Sequence, residues 1–186
     1  MSIAIRSDFL TADDFLTTDQ RSFGSAWRYE LVNGRIVAHD APSPEHGAVG
    51  ANLTYELISR MRGHSSGCRV EIGSGAVPKQ EQHNTARIPD IMIRCGDQPR
   101  VVFEVISPTD LRNPRTMEQR RDDLQRVEGV REVVELYQDR IAVRIYRPAA
   151  DGTWTADGIE GADAVLEIRS VGLTIPLGAL YEGVDL

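Results

Sequence analysis

Apolar and polar residues alternate most clearly around positions 29–37. Tyr29-Glu30-Leu31-Val32 and Arg35-Ile36-Val37 flank Asn33-Gly34. That residue pair suits a type I′ turn, whose two central residues both take positive φ, so the stretch predicts a β-hairpin. Ahead of it, Thr11-Ala12-Asp13-Asp14 before Phe15 and Leu16 has the form of a helix cap and predicts a short, peripheral helix. The period then changes. After Ser43-Pro44-Glu45-His46, the residues Val49, Leu53 and Leu57 recur every fourth position, which predicts a long helix capped by serine, with proline in its first turn and an end near Gly63. Strands fit residues 69–77, 88–94 and 101–106. A second helix fits 114–127, with Asn113 as cap and Met117, Leu124 and Val127 on one side. Strands 132–137 and 141–147 follow around Gln138-Asp139, then a weaker strand at 165–168 and a helical turn near 177–181. The stretches 149–152 and 157–163 read as short connections. The order predicts an α/β fold of the mixed-sheet α+β kind, a single domain over residues 1–186 with helices flanking a central mixed β-sheet.

Composition narrows the function classes. With 186 residues, 41% apolar and 26% charged, the chain is an ordinary globular domain rather than a disordered, collagenous or disulfide-framed one. A net charge of −7 argues against a protein whose task is to coat nucleic acid without specificity, although a local basic site is compatible with it. Lys79 is the sole lysine among 21 basic residues, and no Gly-Lys-Ser or Gly-Lys-Thr follows a glycine-rich turn, so a phosphate loop of the nucleoside-triphosphatase kind is absent. Cys68 and Cys95 form no Cys-x-x-Cys and read as two buried thiols. No apolar run approaches the roughly 18 residues of a membrane span and residues 1–9 lack an apolar signal core, which predicts a cytoplasmic protein with no membrane partner.

Candidate chemistry concentrates in 88–107. If residues 95–99 form the loop of a hairpin, position 94 pairs with 100, 92 with 102, and Asp90 with Glu104. Two carboxylates opposed on antiparallel strands repel. A divalent cation would offset that cost, since Mg²⁺ or Mn²⁺ takes oxygen ligands and is held by one or two carboxylates and several waters. The same ion would activate water and polarise a phosphoryl oxygen. The alternative is that Asp90 merely enters a strand after Pro89 and that Glu104 is an edge charge or ion-pair partner.

Five motifs in order bear on that choice: Tyr29-Glu30-Leu31-Val32-Asn33-Gly34, Pro42-Ser43-Pro44-Glu45-His46, Pro89-Asp90, Glu104-Val105-Ile106-Ser107-Pro108-Thr109 and Gly129-Val130-Arg131-Glu132. Together they resemble the Uma-type family of restriction-endonuclease-like proteins, within the PD-(D/E)-x-K nuclease superfamily. The resemblance implies a restriction-endonuclease-like core over about residues 11–181, a metal held by Asp90 and Glu104, and cleavage of nucleic-acid phosphodiesters. The superfamily lysine two residues after the glutamate corresponds here to Ile106. In the Uma-type pattern a lysine on the following helix takes that role, and counting back from Arg131-Glu132 places Arg120 there, on the inward side with Met117 and Leu124.

The site residues expected on these grounds are Asp90 and Glu104 as metal ligands, Arg120 stabilising the phosphate, and His46 or Glu30 assisting. Each has a structural alternative: a snorkelling arginine, a packed histidine, an exposed hairpin charge. His39, His64 and His83 share no metal-ligand spacing, and Lys79 reads as solvated. The leading reading is a Mg²⁺-dependent endonuclease acting on DNA, with homodimerisation implied by the resemblance. Two others stand beside it: a catalytically impaired binding module on the same fold, and a hydrolase of small phosphate esters. Arg112, Arg115, Arg120, Arg121, Arg126 and Arg131 are candidate DNA contacts, interleaved with acids that make an ion-paired helix the alternative.

Overall fold

The computed structural model describes residues 10–62, 67–80 and 83–186. Residues 1–9, Gly63 and His64 lie outside these. In chain order, α1 (Ala12–Thr17) starts from a capping box closed between Thr11 and Asp14. The hairpin β1 (Arg28–Val32) and β2 (Arg35–His39) turns at Asn33 and Gly34, whose φ angles of 50° and 73° are those that the Asn-Gly pair was chosen for. The first helix is less peripheral than its polar composition predicts. Ala12 and Phe15 are buried with Tyr29, Leu31, Ile36, Ala86 and Ile88 in a core of their own.

Helix α2 (Pro44–Met61) starts where expected, Ser43 accepting a hydrogen bond from the His46 amide, and buries Val49, Leu53 and Leu57. Next comes a six-stranded sheet whose strands lie side by side in sequence order: β3 (Cys68–Ile72), β4 (Ile91–Cys95), β5 (Gln98–Ile106), β6 (Glu132–Tyr137), β7 (Ala142–Pro148) and β8 (Trp154–Glu160). Only β5 and β6 run parallel. A parallel pair needs a crossover, and α3 (Pro108–Leu111) with α4 (Pro114–Gln125) supplies it. The crossover returns through Gly129, at φ +91°, where a Cβ would stand 2.8 Å from the Pro99 carbonyl oxygen. The hairpin β9 (Val165–Ile168) and β10 (Leu173–Pro176) and the turn α5 (Leu177–Leu180) close the chain.

The two faces of the sheet are covered differently. Ile91, Ile93, Val101, Phe103, Val105, Val134, Leu136, Val143 and Ile145 make one face and pack under α2, β9, β10 and α5 in the main core. On the other face, α4 lies over two smaller apolar clusters. Leu124 joins Val102, Val133 and Tyr146, while Met117 joins Ile106, Tyr137 and Ala142. Between those clusters runs a polar row set by register: Glu104 beside Glu135 on β6, and Glu135 beside Arg144 on β7.

Several expectations are corrected. The β4–β5 turn is Gly96-Asp97, with Cys95 opposite Gln98, and a bulge between Ile93 and Arg94 shifts the register. Beyond the bulge Ile91 faces Phe103, so Asp90 still falls opposite Glu104 although the loop is shorter than the five residues expected. Cys68 and Cys95 are not separate thiols. They are direct cross-strand partners of β3 and β4 and form a disulfide, a pairing that register creates and that sequence separation cannot show. The strand at 69–77 stops at Ile72, after which Ala76 and Pro78 make only isolated bridges, and the strand at 88–94 begins later, at Ile91. Residues 157–160, read as part of a connection, belong to β8, which hides its strand character because most of it is exposed at the sheet edge.

Phe103 is fully buried at the centre of the main core. Phe103→Ala is expected to lower the unfolding free energy by about 3–5 kcal/mol, the range for truncating a buried aromatic side chain, as read by equilibrium denaturant unfolding.

Candidate active site

A cavity of about 540 Å³ opens on the polar side of the sheet, its wall including Arg28, His46, Asp90, Glu104, Arg120, Arg121 and Glu135. Asp90 sits at a bend just before β4, held there by contacts to both oxygens. Arg28 Nη1 donates to Oδ1 at 2.6 Å, the Val105 amide donates to Oδ2 at 2.8 Å, and His46 Nε2 lies 3.3 Å from Oδ2. Burial alone would raise the Asp90 pKa, but the His46 hydrogen bond and the Arg28 charge outweigh it and hold the carboxyl below the usual carboxylate range.

Glu104 is buried on β5, and Arg120 grips it side-on: Nε donates to Oε1 at 2.9 Å and Nη2 to Oε2 at 3.1 Å. Arg120 has no donor group to spare, because Nη1 lies 2.6 Å from Glu30 Oε1 and Nη2 also donates to the Ile88 carbonyl. Burial pushes Glu104 up to about 7, with the Asp90 charge adding to the rise and Arg120 opposing it. The repulsion expected between Asp90 and Glu104 is therefore met by two guanidiniums, one on each acid.

Glu30 is not an exposed hairpin charge. It is fully buried, accepts from the Ile88 amide at 2.7 Å and from Arg87 Nη1 at 3.1 Å, and lies 3.2 Å from His39 Nε2. Burial would raise its pKa; Arg120, His39 and Arg87 reverse that and hold it well below the ordinary value. Glu30 is absent from the cavity wall and reaches it through Arg120. Arg87 continues the network, its Nε and Nη2 both donating to Asp123 Oδ2.

The five expected site residues meet at one cleft as two hydrogen-bonded groups, Asp90 with His46, and Glu104 with Arg120 and Glu30. Arg28 joins the first group, His39, Arg87 and Asp123 join the second, and Arg121, Glu135 and Tyr146 form a third beside them, none of them expected at this site from the sequence. One signal was available for Glu135. In Glu132-Val133-Val134-Glu135-Leu136-Tyr137 a charge interrupts a strand that is buried along its whole length, which calls for a partner. Of the helix arginines proposed to contact DNA, Arg120 and Arg121 face inward, while Arg112, Arg115, Arg126 and Arg131 are exposed. Lys79 is exposed and paired with Glu128 at 3.1 Å.

Comparison with known proteins follows this geometry. The model of the family Uma2, described as "Putative restriction endonuclease", matches residues 12–178. The chain belongs to this family. The Uma2 match spans the hairpin, the central sheet and the α4 crossover, so every residue of the network lies inside it. A crystal structure from Anabaena variabilis, described as a putative nuclease belonging to DUF820, superposes with a TM-score of 0.72. It covers 95% of this chain and 99% of its own at 16% identity, a likeness of fold. No curated protein matches in sequence. No helix among the described residues is long and apolar enough to cross a membrane.

The donor set of the cleft can be tested against a divalent cation, which families of this kind generally use. Asp90 and Glu104 are hard oxygen donors of the type Mg²⁺ and Mn²⁺ take, one or two carboxylates with water completing the shell. Burial raises the Glu104 pKa, the Asp90 charge adds to the rise, and Arg120 opposes it only in part. Among the described residues no three His, Cys, Asp or Glu are grouped to hold a metal, so a closed cage of the structural-zinc type does not fit. The chemistry of the pair fits an open, hydrated ion.

The Glu104 shift has a consequence for stability in metal-free solution. Its folded pKa, about 7, lies above the unfolded value near 4.5, so the folded state holds the extra proton and the associated stability is fully present below pH 4.5 and lost as pH rises through 7. Asp90 has the opposite sign, losing its contribution only in strong acid. The unfolding free energy of the wild type in chelator is expected to fall by on the order of 2–3 kcal/mol between pH 5 and 8, and Glu104→Gln is expected to remove that slope.

Proposed function

We propose that this Uma2 protein is a Mg²⁺-dependent endonuclease that hydrolyses DNA phosphodiester bonds in the cleft over β4 and β5. The observation that carries the reading is the pair Asp90, at the entry to β4, and Glu104 on the adjacent β5, two acids on one cavity wall in a chain of a family described as "Putative restriction endonuclease". In this reading Asp90 and Glu104 hold the ion. Bound there, such an ion would lower the pKa of a bound water and would polarise a phosphoryl oxygen.

The chain's own residues do the positioning. Arg28 and the Val105 amide fix both Asp90 oxygens. Arg120 locks Glu104 against the hairpin through Glu30. His46, 3.3 Å from Asp90 Oδ2, steadies that carboxylate. Cutting both strands of a two-fold duplex would be simplest for a homodimer. One observation favours the catalytically impaired binding module instead: Ile106, at the superfamily lysine position, is packed with Met117, Tyr137 and Ala142 and does no chemistry.

Titration calorimetry with Mn²⁺ and plasmid cleavage on the same samples separate the readings. Wild type is expected to bind and cut, and Asp90→Ala to lose cleavage by at least about 10²-fold together with metal binding. Metal binding without hydrolysis of any polynucleotide would establish the binding module. Because Glu104 must give up a proton to hold the ion, Mg²⁺ affinity is expected to rise from pH 6 to pH 8, with proton release in the same titration.

A further inference from the structure

Four arginines stand in or beside the cleft, and they differ in one respect that the reaction would use. An arginine grips two oxygens side-on through Nε and one terminal nitrogen, Nη2, the edge that matches carboxylate and phosphate. Arg120 lays that edge against Glu104, and Arg87 lays it against Asp123. Arg28 Nε is buried with no partner, so its edge is closed off from solvent. Arg121 alone of the four has the edge open: among the described residues its Nε and Nη2 carry no hydrogen bond, and neither is a buried unpaired atom.

Arg121 is nevertheless held firmly. Nη1 donates to Glu135 Oε1 at 3.0 Å and lies 2.8 Å from the Tyr146 hydroxyl, and the guanidinium carbon stands 4.5 Å above the centre of the Tyr146 ring. Tyr146 in turn donates to Glu135 Oε2 at 3.1 Å. These contacts use one nitrogen and one face of the guanidinium of a residue that lines the cleft, and leave Nε and Nη2 without a partner among the described residues. Glu135 is the parallel neighbour of Glu104, one strand away at the same level of the sheet, so Arg121 is presented beside Arg120 on the same helix and over the same row. Stacking on the ring also fixes the plane of the fork before any ligand arrives.

We propose that Arg121 is the residue that grips a substrate phosphate in this cleft, and that Glu135 and Tyr146 are positioning residues that hold its fork open. The proposal rests on the nuclease reading for the identity of the ligand, a DNA phosphodiester. It gives Arg120 and Arg121 different tasks, the first spent on the protein's own carboxylates and the second free for the substrate.

The test uses a short DNA duplex followed by fluorescence anisotropy in chelator across a salt series, alongside Mg²⁺-supported cleavage. Arg121→Gln keeps a donor for Glu135 but removes the charge. It is expected to weaken binding about 10-fold and to lower the slope of log K against log salt by about 0.9, one phosphate contact. Arg121→Lys, which retains charge without the fork, should keep the slope and lose kcat. Glu135→Ala should lower kcat about 10-fold while affinity changes less than 3-fold, and Glu135→Gln, which still accepts from Arg121, should restore most of it. Circular dichroism verifies folding, and Tyr146→Phe, which deletes only the hydroxyl, repeats the positioning test if Glu135→Ala does not fold. Wild-type slope and affinity in Arg121→Gln, or no DNA binding by the wild type, would overturn the assignment. A wild type that leaves DNA uncut while its salt slope still depends on Arg121 would instead sink the nuclease reading and leave the phosphate grip standing.

Discussion

Arg120 joins the hairpin to the central sheet at the site, beside the Arg28–Asp90 pair. The β1–β2 hairpin makes no ladder with the central sheet; its backbone bonds to the segment before β4, Leu31 with Ala86 and Gly34 with the Asn84 carbonyl. What binds the hairpin electrostatically to β5 is a guanidinium shared between Glu30 and Glu104. Burying these charges is expensive, and a pair of this kind contributes more to a unique arrangement than to net stability. Removing Arg120 would leave Glu104 without its ion-pair partner in the protein interior, while Glu30 would keep Arg87, His39 and the Ile88 amide.

The polar row over which α4 lies explains how a charged site survives inside a hydrophobic sandwich. Met117 and Leu124 anchor the helix into two apolar clusters two turns apart. The helical period then places Arg120 and Arg121 between those anchors, over Glu104 and Glu135. Each buried acid meets a cation that the neighbouring turn already carries. The sheet contributes the spacing: parallel, in-register pairing of β5 and β6 sets Glu104 and Glu135 one strand apart. A one-residue slip of either strand would turn its acid to the main core.

This arrangement also accounts for the missing superfamily lysine. Ile106 closes the lower apolar cluster under Met117, and a charge there would break the anchor that positions α4. Positive charge is supplied from the helix instead, where an arginine can reach the row without entering the sheet. Using guanidiniums rather than an ammonium allows two-point grips, which is why one arginine can hold two acids.

Much of this was legible from the chain alone, because local rules decide it. The Asn-Gly turn, the Ser43 cap, the helix periods and the opposition of Asp90 and Glu104 follow from backbone preferences and from the period of two along strands. The cap Ser107-Pro108-Thr109-Asp110, which starts α3, carried the same kind of signal and was not read as a helix. What needed the tertiary structure was everything fixed by pairing between distant segments. The bulge before Arg94, the Cys68–Cys95 disulfide, the burial of Glu30 and the partnership of Arg121 with Glu135 and Tyr146 depend on which strands adjoin and in what register. A sequence determines which residues have a charge to satisfy, but only the packed chain decides which opposite charge lies within 3 Å and which donors remain free.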